Sequence, residues 1–284
     1  MTASGEGPAP GRPGARLGPD LGPRIVAGVA MASVALAAAW AGGFVFAAFW
    51  WLASIVVLWE WQRLVGGGRL MERVAAGGAA LAVAALSALH NSVLGVVAAL
   101  IVGAVAIGWI AGRRETGWAA GGVFYAGVLV ASVGLLRVSP SFGMVAVLWL
   151  FAVVWGADIA AYFAGRLIGG PRLWPSISPG KTWSGAIVGA FAGAVFGLML
   201  AAWTNRLAAL FWLGLATAIV SELGDLFESA LKRRFGVKDS SGLIPGHGGL
   251  MDRLDAFTSA SFFAAVVAML HPKGDYIASG LFQW

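Results

Sequence analysis

Residues Ser221–Asp255, SELGDLFESALKRRFGVKDSSGLIPGHGGLMDRLD, set a dense run of acids and bases at the end of a long apolar segment. The first half continues the apolar run and reads as a helix leaving a bilayer. At roughly 100° per residue, Ser221, Glu222, Glu228, Ser229 and Lys232 fall within about 60° of Asp225 around its axis. Leu223, Phe227 and Ala230 point the other way. Such a helix offers carboxylates, hydroxyls and an ammonium to one wall of a polar cavity and leaves its other face to lipid or neighbouring helices. The second half, Arg233 to Asp255, is too rich in charge and glycine to cross a membrane, and it is expected as a loop at the membrane surface.

Composition places that helix in a membrane protein. The chain has 284 residues, 59% hydrophobic and 11% charged, with a mean hydropathy of +0.83. Ordinary soluble domains carry about 25% charged residues. The apolar runs are continuous and do not alternate, which argues against a β-barrel. The absence of cysteine excludes disulfides, thiolate metal sites and a cysteine nucleophile. No basic, aromatic-interleaved soluble surface exists to bind nucleic acid.

Working outward, the expected fold is an all-α polytopic membrane protein of about nine transmembrane helices. The segments run 24–40, 44–61, 70–89, 93–111, 118–136, 144–164, 183–203, 207–227 and 256–270. No short apolar region with a small-residue cleavage site stands out, so the first segment reads as a retained span. With the N-terminus cytoplasmic and the C-terminus extracytoplasmic, sixteen basic residues fall inside and only Arg137, Arg206 and Lys273 outside. The division suggested is a disordered cytoplasmic tail (1–23), a five-helix transmembrane scaffold (24–136), a catalytic region of four helices with cytoplasmic loops (137–271), and an extracytoplasmic tail (272–284).

Carboxylates within apolar segments need a reason, since an ionised side chain at a helix centre costs ~2.5–3.5 kcal/mol on insertion scales. Asp158, Glu222, Asp225 and Glu228 either pair with Arg166, Lys232 or Arg233, or line a site. Asp225 and Asp252 are the expected ligands of two divalent cations, Mg²⁺ by ligand type. A hard cation offsets clustered carboxylates and takes phosphate oxygens beside them. Lys232, Arg233, Lys238 and Arg253 would surround a polyphosphate, interleaved with Asp239, Asp252 and Asp255. Around His247, Pro245, Gly246, Gly248 and Gly249 suit either a tight turn or close backbone approach to phosphate. His247 itself reads as a phosphate or base contact, a general base or a structural residue.

Two further motifs precede this stretch. Ser178-Pro-Gly-Lys181-Thr182 opens the seventh span, and its backbone N–H groups would suit an anion; it is no Walker A loop, because position 175 is proline. Asp158, Tyr162 and Arg166 share one helix face, Gly165 beside them, as a polar helix contact or as cavity lining.

Ser229-Ala-Leu-Lys232-Arg233, four residues, then Lys238-Asp239 through Pro245-Gly-His247-Gly248-Gly249-Leu-Met-Asp252-Arg253-Leu-Asp255 resembles the signature of the phosphatidate cytidylyltransferases. Ser178 to Thr182 and the Asp158 to Arg166 pattern are similar to further motifs of that family, with Ser184 where an acid is expected. The resemblance implies CTP and phosphatidate as substrates, with the bilayer as setting. It associates metal with Asp225 and Asp252, and catalysis with Lys232, Arg233, Lys238, Asp239, His247 and Arg253. Substrate binding is expected of Asp158, Tyr162, Arg166, Ser178, Lys181, Thr182, Glu222, Glu228, Ser229, Gly248, Gly249 and Asp255. The implied setting is a bacterial-type inner membrane with the site facing the cytoplasm, and a homodimer is compatible with it. A CTP-dependent polyprenol or phytol kinase and a transporter are the alternative readings.

Overall fold

The computed structural model describes residues 21–244 and 248–284. The expected N-terminal tail falls almost wholly outside the described residues, as does His247. The elements in chain order are α1 (Leu21–Ala41), α2 (Gly43–Val65), α3 (Leu70–Leu89), α4 (Val93–Ala111), α5 (Thr116–Arg137) and α6 (Gly143–Leu167). A hairpin of β1 (Arg172–Trp174) and β2 (Ser178–Thr182) follows, then α7 (Trp183–Ala201), α8 (Leu207–Arg234), α9 (Met251–Leu270) and α10 (Ser279–Phe282). Helices α2 to α9 are each long and apolar enough to cross a membrane, and α1 adds a shorter apolar stretch, Val26–Ala41. Among the described residues these match the nine segments expected from hydropathy.

Three local expectations are corrected. Helix α8 runs on to Arg234, seven residues past the expected end of its span, because its charged residues lie on one face and do not interrupt the helix. Helix α9 begins at Met251, so Asp252, Arg253 and Asp255 stand on its first turns and not in the surface loop. The segment from Ser178 to Thr182 is a strand in place of a helix-opening loop, antiparallel to β1 with Arg172 opposite Thr182.

The helices gather in two bundles joined along α9. Helix α5, the most enclosed of the spans, packs against α2, α3, α4 and α9. Helices α6, α7 and α8 form the second group, and α9 touches both α5 and α8. The α6–α7 pair is the most extensive contact, for a reason written in sequence. Gly185, Gly189 and Gly193 recur every fourth residue along α7, and a Cβ at each would meet the Ala161, Ala157 and Val153 carbonyl oxygens of α6 at 2.9, 2.9 and 2.8 Å. Only hydrogen fits in that seam, so the two backbones approach closely, as small-residue stripes allow in membranes.

Side chains tie the loops at each end together. At one end Trp61 Nε1 donates to the Trp118 carbonyl at 2.7 Å, Gln62 Nε2 to the Ala119 carbonyl at 2.8 Å, and the Arg234 guanidinium lies over the Trp118 ring. At the other, Arg137 donates to the Ala39 carbonyl at 2.9 Å and Asn91 to the Asp275 carbonyl at 2.6 Å. The segment expected as a C-terminal tail folds back there: Leu281 and Phe282 of α10 are buried, with Phe282 against Phe142 and Trp149.

Candidate active site

A polar cavity of about 870 Å³ opens between α6, the hairpin, α7, α8 and α9. Its walls are built from the residues that the sequence marks. Helix α6 contributes Asp158, Tyr162 and Arg166; β2 contributes Lys181 and Thr182; α8 contributes Glu222, Asp225 and Lys232; the loop contributes Asp239; and α9 contributes Asp252, Arg253 and Asp255. Asp225 and Asp252 therefore face one cavity.

Local structure aims each group. Arg166 donates to the Tyr162 hydroxyl at 2.8 Å one turn away, which fixes the exposed end of the α6 row. Thr182 caps α7, its Oγ1 accepting from the Gly185 N–H at 3.1 Å, and this anchors the strand that carries Lys181. Lys181 reaches Asp225 Oδ2 at 2.9 Å, and the Ser229 hydroxyl donates to Asp225 Oδ1 at 3.3 Å. Ser184, where an acid was expected, donates to the Gly169 carbonyl at 2.5 Å and meets Thr182 Oγ1 at 3.1 Å, so it secures the hairpin's return.

The second carboxylate is held more tightly. Lys232 Nζ lies 2.5 Å from Asp252 Oδ1 and 2.6 Å from buried Glu228 Oε2, bridging two acids. Asp252 Oδ2 also accepts from the Ser240 N–H and hydroxyl, both at 3.0 Å, and from the Gly249 N–H at 2.7 Å. A carboxylate offers about four lone-pair positions, so these donors nearly saturate it. Gly248 turns with φ +82°, and a Cβ there would meet Asp252 Oδ2 at 2.7 Å.

The donor set fits a hard cation, though unevenly. Six carboxylates line the cavity against five Lys and Arg side chains. Glu222 Oε1 is buried without a hydrogen-bond partner. The Asp225 side chain keeps 34% of its surface open, and Asp252 only 6%. Asp225 thus has open surface for a cation beside its Lys181 and Ser229 contacts, whereas Asp252 could take one only by giving up Lys232 or a backbone donor. Among the described residues, no three His, Cys, Asp or Glu side chains are grouped as a ready-made metal cage. Mg²⁺ does not need one, since it keeps waters and binds through one or two carboxylates plus phosphate.

Several marked residues stand behind or outside the cavity. Glu228 and Ser229 act on Lys232 and Asp225 from behind, and Gly248 and Gly249 frame Asp252. Ser178 belongs to the hairpin. Arg233 donates to the Ile177 and Val237 carbonyls at 3.4 and 3.2 Å, bracing hairpin against loop, and Lys238 is exposed.

Sequence reasoning missed Arg172, which lines the cavity and donates to the Gly180 carbonyl at 3.1 Å. It also missed Ser240 and Glu60. The serines sat unremarked inside the quoted stretch. Glu60 carried the same signal as the marked acids, a carboxylate near the end of an apolar run, but it is far away in the chain.

A nearly all-helical membrane protein with a charged cavity large enough for more than one phosphorylated molecule is the class that this geometry defines. The comparisons narrow it: the model of the cytidylyltransferase family matches residues 22–271, and the chain belongs to that family. It is 37% identical over 273 residues to the phosphatidate cytidylyltransferase of Brucella abortus, covering 93% of this chain and 99% of that one. It is 40% identical over 261 residues to that of Brucella suis, covering 88% and 95%. The Haemophilus influenzae protein of the same name is 42% identical over 144 residues, about half of each chain.

Proposed function

We propose that this protein is an enzyme that transfers CMP from CTP to phosphatidate, giving CDP-diacylglycerol and pyrophosphate for phospholipid synthesis. The observation that carries the reading is one cavity, walled by apolar spans, in which Arg166, Arg172, Lys181, Lys232 and Arg253 face Asp225 and Asp252. A phosphorylated lipid and a polyphosphate nucleotide need cationic walls; a kinase or a transporter is not what the relatives are named for.

A phosphate monoester is largely ionised near neutral pH, so the lipid phosphate needs little deprotonation to act as nucleophile. Its oxygen attacks the α-phosphorus of CTP, a P–O bond forms, the bond between α-phosphorus and the bridging oxygen breaks, and pyrophosphate departs. Lys181, Arg166 and Arg172 would orient the phosphates. Arg253 and Lys232 would meet charge developing on the leaving group, with Arg233 at the end of α8 and the loop groups Lys238 and His247 adding to it, while Asp239 would line the cavity wall. Mg²⁺ held by Asp225, and by Asp252 once Lys232 turns to substrate, would neutralise phosphate charge. Asp158, Tyr162 and Glu222 would shape the wall behind the nucleotide.

The positive-inside distribution supports a site at the cytoplasmic face of a bacterial inner membrane. The test is direct: purified protein with Mg²⁺, phosphatidate and each of CTP, dCTP, ATP and UTP, scored for liponucleotide and pyrophosphate. Pyrophosphate and CDP-diacylglycerol in equal amounts are expected with CTP. CDP and a phosphorylated lipid alcohol from other acceptors, or no turnover, would overturn the proposal.

A further inference from the structure

Glu60 sits at the end of α2, wholly buried, and has no cation at ion-pairing distance among the described residues. Its oxygens are occupied by groups far along the chain. Oε1 accepts from the Ser241 hydroxyl at 2.5 Å and the Leu250 N–H at 3.0 Å; Oε2 accepts from the Met251 N–H at 2.6 Å.

Helix α9 explains why an acid is needed there. The first N–H groups of any helix lack internal partners, and a side chain at the cap position normally accepts from them. At α9 that position is Leu250, which supplies no side-chain cap. Glu60 supplies it from another helix, and its charge suits the positive end of the helix dipole. The capped turn carries Asp252 and Arg253, and the adjacent Gly249 N–H is bonded to Asp252. A Cβ on Gly249 would collide with both the Ser240 hydroxyl and the Glu60 carboxylate, so only glycine lets the chain pass this close to Glu60.

We propose that Glu60 is a positioning residue for catalysis: by capping α9 from α2, it sets where Asp252 and Arg253 stand relative to Asp225 and Lys181. This rests on the cytidylyltransfer reading above. Glutamine keeps the shape of Glu60, but it replaces one acceptor oxygen with an NH₂ that must face a backbone N–H in either orientation, that of Leu250 or that of Met251. Charged acceptors make the stronger hydrogen bonds, so the loss falls on the start of α9.

The experiment compares wild type, Glu60→Gln, Ser241→Ala and, as control, Glu72→Gln, whose partner Arg69 lies at the surface outside the site. Each is read by kcat and KM for CTP, by melting temperature in detergent, and by amide exchange over residues 248–254. Glu60→Gln should lower kcat about tenfold or more, speed exchange at 248–254, leave exchange in α6 and α7 unchanged, and melt within a few degrees of wild type. Ser241→Ala should lower kcat about threefold by the same route. Glu72→Gln should match wild type.

A folded Glu60→Gln protein turning over within twofold of wild type would overturn the inference, as would lost activity with unchanged exchange at 248–254. Should Glu60→Gln fail to fold, Ser241→Ala decides: wild-type kcat there overturns it. Wild-type protein that makes no liponucleotide would defeat the underlying reading instead, and the exchange measurement would still report whether Glu60 caps α9.

Discussion

Helix α8 separates two cavities of similar size and opposite chemistry. On one side Glu222, Asp225 and Lys232 face the 870 Å³ polar cavity shared with α6, α7 and α9. On the other, Val220, Leu223 and Phe227 face an apolar cavity of about 710 Å³, lined also by Trp61, Phe124 and Tyr125. The faces share one backbone and one depth range. Depth alone therefore does not set polarity here; the partners do. Acids persist where Lys181, Lys232 and backbone N–H groups can reach them, and the face without such donors is aliphatic and aromatic.

The contrast can be broken most severely at the carboxylates. Asp225→Asn and Asp252→Asn should each cut kcat by about 10³, measured as CDP-diacylglycerol formed per minute; retention of most of the wild-type rate would remove both from the proposed metal site. Next is Lys232→Met. It strips the cation shared by Glu228 and Asp252, and breaking a buried pair from one side costs ~3–5 kcal/mol, so both activity and melting temperature should fall. Normal stability would mean that the pair of acids is compensated by something else.

The seam behind the polar face can be wedged. Gly189→Leu must push α6 away from α7, since even a Cβ there meets the Ala157 carbonyl at 2.9 Å; overpacking costs ~1–3 kcal/mol. KM for CTP should rise as Asp158 is carried away from Lys181. The smallest effect belongs to the other face: Leu223→Ala, at a half-exposed position, should leave KM for CTP within about twofold and shift stability by less than ~1 kcal/mol. A large rise in its KM would show that the two sides of α8 are not independent.

Much of this was legible in residue order. Continuous apolar runs marked the spans, and the helical wheel of α8 placed Glu222, Asp225 and Lys232 on one wall before any coordinates. Boundaries were less legible, because a dense run of charges does not by itself distinguish a surface loop from the polar end of a helix. Met251 to Asp255 is helical since the amides of Leu250 and Met251 at its start find acceptors in Glu60, and those bonds have no signature within a local window. Ser178 to Thr182 became a strand because β1 pairs with it. Glu60 stayed hidden for the same reason as Arg172: its meaning lies in a contact made far along the chain.

Helix α8 has one more consequence. Its 28 residues extend about 42 Å at ~1.5 Å per residue, beyond a hydrocarbon slab of ~30 Å. That length is enough for the final turns, bearing Lys232 to Arg234, to reach the height of lipid headgroups. A diacyl substrate could keep its tails in its own leaflet and present its phosphate without being lifted, while the nucleotide arrives from water and never enters oil.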